Sequence, residues 1–223
     1  LFLLLACVVN LGLIGYFKYA GFFLTNVQSV FGIPEVIPQI ALPIGISFYT
    51  FQLLSYVVDV YRNEVKAQKN FFWLLLYSSL FYQCIAGPIV RYSDVQREIT
   101  ERKTSFNDVS EGITRFTVGL GKKALLANTC GSLSDNLLVA DSLIASSPDI
   151  ALTELSSRSV AGIFFGVLFY MLQIYLDFSA YSDMAIGLMA VFGFDINENF
   201  MYPYQSKSIT EFWRRWHITL GSW

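Results

Sequence analysis

Apolar residues fall into long windows in this chain, and the polar residues collect between them. Leu1–Phe17 is interrupted by Asn10, Ile40–Val60 and Phe71–Val90 follow, and Ser159–Phe178 is the cleanest run. A helix needs roughly 20 mostly apolar residues to cross about 30 Å of hydrocarbon, and in lipid its backbone must satisfy its own hydrogen bonds. The pattern therefore predicts an all-α polytopic membrane protein with candidate segments at residues 1–17, 40–60, 71–90 and 159–178. Met184–Phe194 is short, which suits a half-helix or a span buried by its neighbours. The first window lacks a basic leader, and Lys18-Tyr19-Ala20 is a poor cleavage site, so it reads as a membrane helix and not a signal peptide. The chain starts on Leu1 and stops at Trp223 without a polar tail, and the expectation is a single membrane domain, 1–223, cut at both ends.

Polar residues inside the windows are spaced to share helix faces. Tyr49, Gln52, Tyr56 and Asp59 follow at steps of three, four and three, and Gly162, Gly166, Tyr170, Gln173 and Asp177 align in the same way. An aspartate at mid-membrane costs about 2.5–3.5 kcal/mol on insertion scales, so such stripes face a bundle interior or a polar cavity. Two readings stay open, interhelical glue and the lining of a pathway. Asp177 and Asp183 bracket "DFSAYSD" about 240° apart around a helix and do not form a paired-carboxylate site. Ser179 and Asp183, four apart, share a face. No Gly-x-Ser-x-Gly elbow surrounds Ser179, which leaves a serine hydrolase unsupported.

Composition supports the membrane reading: 54% of residues are hydrophobic and 14% charged. The net charge of −2 supplies no field for nucleic acid. Cys7, Cys84 and Cys130 lack metal-ligand spacing and read as small packing residues.

The connection from Arg91 to Arg158 is basic in its first half and acidic in its second. The basic half favours the cytoplasm, yet Arg62, Lys66 and Lys69 lie beyond the 71–90 window. Either that window is re-entrant at Gly87-Pro88 or the charge rule misleads, so orientation stays open. Within residues 109–130, "FTVGLGKKALL" suits a helix at the membrane interface whose lysines reach water or phosphates. Its glycines lack the remaining residues of a P-loop.

The chain's one histidine lies in "NENFMYPYQSKSITEFWRRWHITLGSW". Pro203 opens this stretch as a loop, and Ser208-Ile209-Thr210-Glu211 reads as a capping box that starts a helix near Ile209. On that helix Glu211 and Arg215 are spaced to pair, and Trp213 and His217 share another face. Arg214, three residues before His217, disfavours the imidazolium by like-charge repulsion. A neutral imidazole accepts a proton from a hydroxyl; the alternatives are a structural hydrogen bond or an interfacial anchor. Arg214 and Arg215 read either as snorkelling anchors or as a clamp for phosphate or carboxylate.

"LPIGISFYTFQLLSYVVDVYR" at 42–62, "IAGPIVRYSD" at 85–94, "LQIYLDFSAYSDMAIGL" at 172–188 and "ENFMYPYQSKSITEFWRRWHITL" at 198–220 together resemble the membrane-bound O-acyltransferase family. The resemblance is strongest to its bacterial branch serving alginate O-acetylation, runs from about Leu42 to the end, and before that is compositional. It implies a multi-helix bundle with a central funnel in the bacterial inner membrane. The implied activity takes an acyl group from a cytoplasmic thioester, acetyl-CoA or another, with no tightly bound cofactor and no metal. The implied acceptor is a hydroxyl on an extracytoplasmic polysaccharide, served by an extracytoplasmic acetyltransferase partner. His217 matches the first of the family's two histidines. The second is expected downstream, so this fragment is expected to be inactive alone. Ala180 stands where glycine is usual.

On this resemblance His217 is the catalytic candidate, with Arg214, Arg215 and Trp216 shaping its surroundings and Gln173, Asp177, Ser179 and Asp183 lining the cavity. Membrane lipids, donor and acceptor are the expected partners, and nucleic acid is not. D-alanyl transfer to teichoic acid is the alternative within the enzyme class. Outside it, the alternative is a transporter or flippase-like protein with Asp59, Gln173 and Asp177 along its path.

Overall fold

The computed structural model describes residues 2–32, 41–80 and 87–223. Cys84 and the first two residues of the 85–94 motif lie outside the described residues. Regular structure among the described residues is helical, apart from one isolated antiparallel bridge between Phe200 and Trp216. The chain divides into two compact units.

The first unit comprises Leu1–Lys103 with Thr219–Trp223. Helix α1 (Phe2–Ile14) runs through a π-helical turn, Gly15–Tyr19, into α2 (Ala20–Phe31). The helix continues past the apolar window's end at Phe17, and one apolar helix extends over Phe2–Phe31. It ends at Gly32, whose φ of 64° is left-handed and cheap for glycine. Helix α3 (Ile46–Tyr61) buries Gln52, Tyr56 and Asp59, so the first polar stripe faces protein. Gln52 Nε2 donates to the Tyr77 carbonyl at 3.2 Å, and Tyr56 packs edge-on against Tyr92 at 4.9 Å. Helix α4 (Phe71–Ser79), capped by Asn70, spans nine residues, and Gly87–Val90 is non-helical. Helix α5 (Tyr92–Glu101) follows. Thr219 Oγ accepts from the Ile89 amide at 3.0 Å, and Arg91 donates to the Ser222 carbonyl at 2.8 Å.

The second unit comprises Thr104–Ile218. A reciprocal capping box between Ser105 and Asp108 starts α6 (Phe106–Gly121). A π-helical stretch, Lys122–Ala127, leads into α7 (Asn128–Leu137), and α8 (Asp141–Ser146) and α9 (Pro148–Ser156) precede α10 (Val160–Val191). Helix α10 has 32 residues, about 48 Å at 1.5 Å per residue. Residues 160–178 of the first window and 184–191 of the second thus fall on one uninterrupted helix, which ends before Phe194. The run between them, Ser179–Asp183, holds no proline, and its one acid, Asp183, meets Arg115 and Lys122.

Helices α6 and α10 cross backbone against backbone. A Cβ added at Gly112 would lie 2.5 Å from the Gly187 carbonyl oxygen, and one at Gly187 would lie 2.6 Å from the Gly112 oxygen. About two turns away, Gly119 meets Ala180 in the same fashion. The short helices α11 (Ile209–Arg215) and α12 (Ile218–Ser222) close the chain. Phe2–Phe31 and Val160–Val191 are each long and apolar enough to cross a membrane. Their bare faces include Phe2, Val30, Phe31, Val160 and Phe164, each at least 66% exposed, which lipid would cover.

Candidate functional site

Helix α11 begins as its sequence dictates. Ser208 Oγ accepts from the Glu211 amide at 3.1 Å, while Glu211 reaches back to the Lys207 amide at 2.9 Å, one residue earlier than a standard box. Arg215 pairs with Glu211 at 2.8 Å. The helix then stops at Arg215. Trp216 is extended at φ −100° and ψ 125°, and His217 takes φ 47°, a left-handed conformation.

The predicted sharing of one helix face by Trp213 and His217 therefore fails. Residues 199–201 capture the backbone instead: Met201 N donates to the Arg215 carbonyl and Ile218 N to the Asn199 carbonyl, both at 2.9 Å. The Phe200–Trp216 bridge lies between these bonds. A left-handed residue costs about 1–2 kcal/mol outside glycine, with Asn, Asp and His its most frequent non-glycine occupants. The two flanking bonds offset that strain.

The left-handed corner turns the imidazole inward. Its ring meets Phe178 edge-on at 4.8 Å and stacks over Phe200 at 6.5 Å. Nδ1 lies 2.9 Å from Asn199 Oδ1, and the Asn199 amide nitrogen donates to Ser182 Oγ at 3.0 Å. Asn199 is fully buried. Burial of the ring holds the His217 pKa below the usual histidine value, because desolvation penalises the imidazolium. The ring is thus neutral at pH 7, as expected, but by burial and not by repulsion from Arg214. Trp216 stacks on Phe212 at 5.6 Å and packs edge-on against Phe200 at 5.0 Å.

A polar cavity of about 320 Å³ opens beside this corner, lined by side chains of α6, α10 and residues 198–202 together with Lys122. Arg115 grips Glu198 through both terminal nitrogens at 2.6 and 2.5 Å and reaches Asp183 at 3.0 Å. The Glu198 hydrogen bonds, with Asp183 adding to them, raise the guanidinium pKa further. Lys122 bonds Asp183 and, at 3.3 Å, Ser179. Two cations meet two carboxylates, and the cavity carries no net charge.

The candidates sort accordingly. Ser179 and Asp183 line the cavity with Asn199 and Ser182. Asp177 and Gln173 do not: Asp177 pairs with Lys123 at 2.5 Å, and Gln173 rests against Gly131 of α7. Arg215 is committed to Glu211 and to the Met201 carbonyl at 3.3 Å, so it is no free anion clamp; Arg214 is exposed. The lysines of "FTVGLGKKALL" pair with carboxylates of α10, Lys122 with Asp183 and Lys123, itself partly exposed, with Asp177. Sequence reasoning passed over Arg115, Lys122, Ser182, Glu198 and Asn199 as site residues. Ser182 carried a local signal through its place in the 172–188 motif, and Glu198 and Asn199 through theirs in the 198–220 motif. Among the described residues no group of three His, Cys, Asp or Glu could hold a metal ion.

An apolar helical bundle with a buried neutral histidine and a polar cavity suits group transfer at a membrane, and comparison with known proteins narrows the class. The profile of MBOAT, the membrane-bound O-acyltransferase family, matches residues 62–223. The chain belongs to that family. It is 41% identical over 225 aligned residues to the probable alginate O-acetylase AlgI of Pseudomonas aeruginosa (strain PAO1), covering 99% of this chain and 40% of that protein. The peptidoglycan O-acetyltransferase of Helicobacter pylori is 32% identical over 248 residues, 99% of this chain and 44% of the relative. The teichoic acid D-alanyltransferase of Bacillus subtilis is 26% identical over 185 residues, 81% of this chain and 43% of the relative. The chain thus spans about two fifths of the relatives' length, and the likeness reaches the residues before Leu42.

Proposed function

We propose that the complete protein carrying this chain is a multi-pass O-acyltransferase of the bacterial inner membrane. It moves an acetyl group from a cytoplasmic thioester, acetyl-CoA or another donor, toward hydroxyls of an extracytoplasmic polysaccharide, with an extracytoplasmic acetyltransferase as partner. In this reading residues 109–130 lie along the membrane interface. The 41% identity to a relative named for alginate O-acetylation, against 26% to one named for teichoic acid D-alanylation, favours acetyl over D-alanyl.

The observation that carries the reading is the neutral, half-buried His217 held at a strained corner. A neutral imidazole takes the proton from an attacking hydroxyl as the new C–O bond forms at the thioester carbonyl. As the C–S bond breaks, the same proton passes to the departing thiolate sulfur. A general base of this kind contributes typically 10²–10⁴-fold in rate. The aromatic wall of Phe178, Phe200 and Trp216 keeps bulk water from the ring and so protects the thioester from hydrolysis.

The test is His217→Ala in the complete protein, expressed in a strain lacking the native gene, with polymer-bound acetate and D-alanine both measured. Acetate is expected to be lost while membrane insertion persists. Wild-type acetate in the variant refutes the base, and loss of D-alanine in place of acetate moves the reading to the teichoic acid branch.

A further inference from the structure

The residue that the established family motif does not explain is Asn199. It is fully buried, its carbonyl oxygen holds the backbone of Ile218, and its side chain bridges two groups 35 residues apart in the chain, Ser182 and His217. A buried amide needs partners at both ends, and here one of the two is the imidazole of the catalytic candidate.

Resting on the general-base reading of His217, we propose that Asn199 is a positioning residue that sets the imidazole tautomer. An amide oxygen accepts but never donates. With Oδ1 facing the ring at 2.9 Å, Nδ1 must carry the hydrogen and donate it, which leaves Nε2 with the free lone pair. In this orientation Ser182 Oγ takes the amide N–H at 3.0 Å from the α10 side. Reversal of the amide would present N–H to Nδ1, move the proton to Nε2 and remove the base from the acceptor hydroxyl.

The rest of the surroundings fits this role. Phe178 from α10 and Phe200 from the 199–201 segment meet the ring, and neither can titrate or donate to Nδ1. The titratable and charged groups of the neighbouring elements are Tyr170, Tyr175, Asp177, Tyr181 and Asp183 on α10, Glu198 beside Asn199, and Glu211, Arg214 and Arg215 on α11 before the ring. Glu198 and Asp183 are engaged by Arg115, and Arg215 by Glu211. The backbone contributes as well. The Ile218 N–H to Asn199 carbonyl bond fixes the distance between the two residues, so the side-chain bond forms without a separate ordering cost for the loop.

The experiment compares Asn199→Asp and Asn199→Ala with wild type in the complete protein, purified in detergent. Rates with a thioester donor and a hydroxyl acceptor are followed from pH 5 to 9, with His217→Ala alongside. Aspartate can only accept, so it keeps hydrogen on Nδ1 and adds a charge that favours the imidazolium. It is expected to retain activity at alkaline pH with the acid limb moved upward by about one unit or more. Alanine removes the acceptor from the imidazolium, so the acid limb moves downward and kcat falls about tenfold or more, with KM held within twofold.

An acid limb that coincides with wild type, in whichever variant is recovered folded, overturns the proposal. So does an inactive but folded Asn199→Asp, which would mean that the amide donates to the ring. If His217→Ala is as active as wild type, the base reading itself fails. If His217→Ala is dead while both Asn199 variants behave as wild type, only the positioning role fails.

Discussion

The crossing of α6 over α10 is the most demanding contact in the second unit, and Gly112→Ala tests it directly. The added methyl would lie 2.5 Å from the Gly187 carbonyl oxygen, 2.9 Å from Val191 Cγ2 and 3.1 Å from the Val191 amide. A Cβ essentially never approaches closer than 3.0 Å, so the helices must part by about half an ångström or more. Two of the three obstructing atoms are backbone, and no rotamer change can relieve them. Overpacking of this kind costs about 1–3 kcal/mol.

Gly121 is the comparison on the same helix, since it ends α6 and has nothing within 4 Å of its added Cβ. Gly121→Ala is expected to gain roughly 0.5–1 kcal/mol from the lower freedom of the unfolded chain. The two variants are read as thermal midpoints of the purified complete protein, by loss of the monodisperse peak on heating. Gly112→Ala is expected to melt below wild type, and Gly121→Ala at or above it. Equal midpoints for the two would refute the backbone-on-backbone crossing.

Two further outcomes follow from the charge network and the buried ring. Arg115→Ala leaves Glu198 without its bidentate partner and Asp183 with Lys122 alone. Because these side chains are 24–51% exposed, solvent screening limits the loss to about 1 kcal/mol, and Arg115→Lys should recover less than half of it because an ammonium cannot hold a carboxylate with a planar fork. Equal midpoints for wild type and both variants would remove the network from the stability account. For His217, the folded pKa lies below the unfolded value near about 6.5, so below that pH the unfolded chain binds a proton that the folded ring refuses. Stability should therefore fall as pH drops below the unfolded value and level off beneath the folded one; denaturation midpoints at pH 7.5 and 5 should differ less in His217→Gln than in wild type.

Local rules predicted what local chemistry controls. The cap at Ser208 and the Glu211–Arg215 pair are spaced within one or two turns, and both form. The Gln52–Tyr56–Asp59 stripe was legible because one face of a 3.6-residue period must be buried together. Arg115 and Asp183 stand 68 residues apart and Arg115 and Glu198 stand 83 apart; no propensity or period links such positions, and only the α6–α10 crossing does. The left-handed turn at His217 was hidden for a related reason. Helical spacing runs through Trp213 and His217, and only the capture of Trp216 by residues 199–201 overrides it. Both aspartates on α10 were assigned to the cavity, but Asp177 pairs with Lys123, and Asp183, held by Lys122 and Arg115, lines it.

The balanced cavity floor has a consequence for the field inside the site. Arg115, Lys122, Asp183 and Glu198 sum to no monopole, and what remains is a set of opposed dipoles whose potential decays more steeply with distance than that of a lone ion. A neutral sugar or ester entering the cavity meets no long-range pull or push, and an ionic one gains none. The proton affinity of His217 answers to burial of the ring and to its Asn199 contact and not to this floor, which agrees with burial as the cause of its shift. Salt in the medium, which screens monopoles over about 10 Å, has little in this floor to act upon.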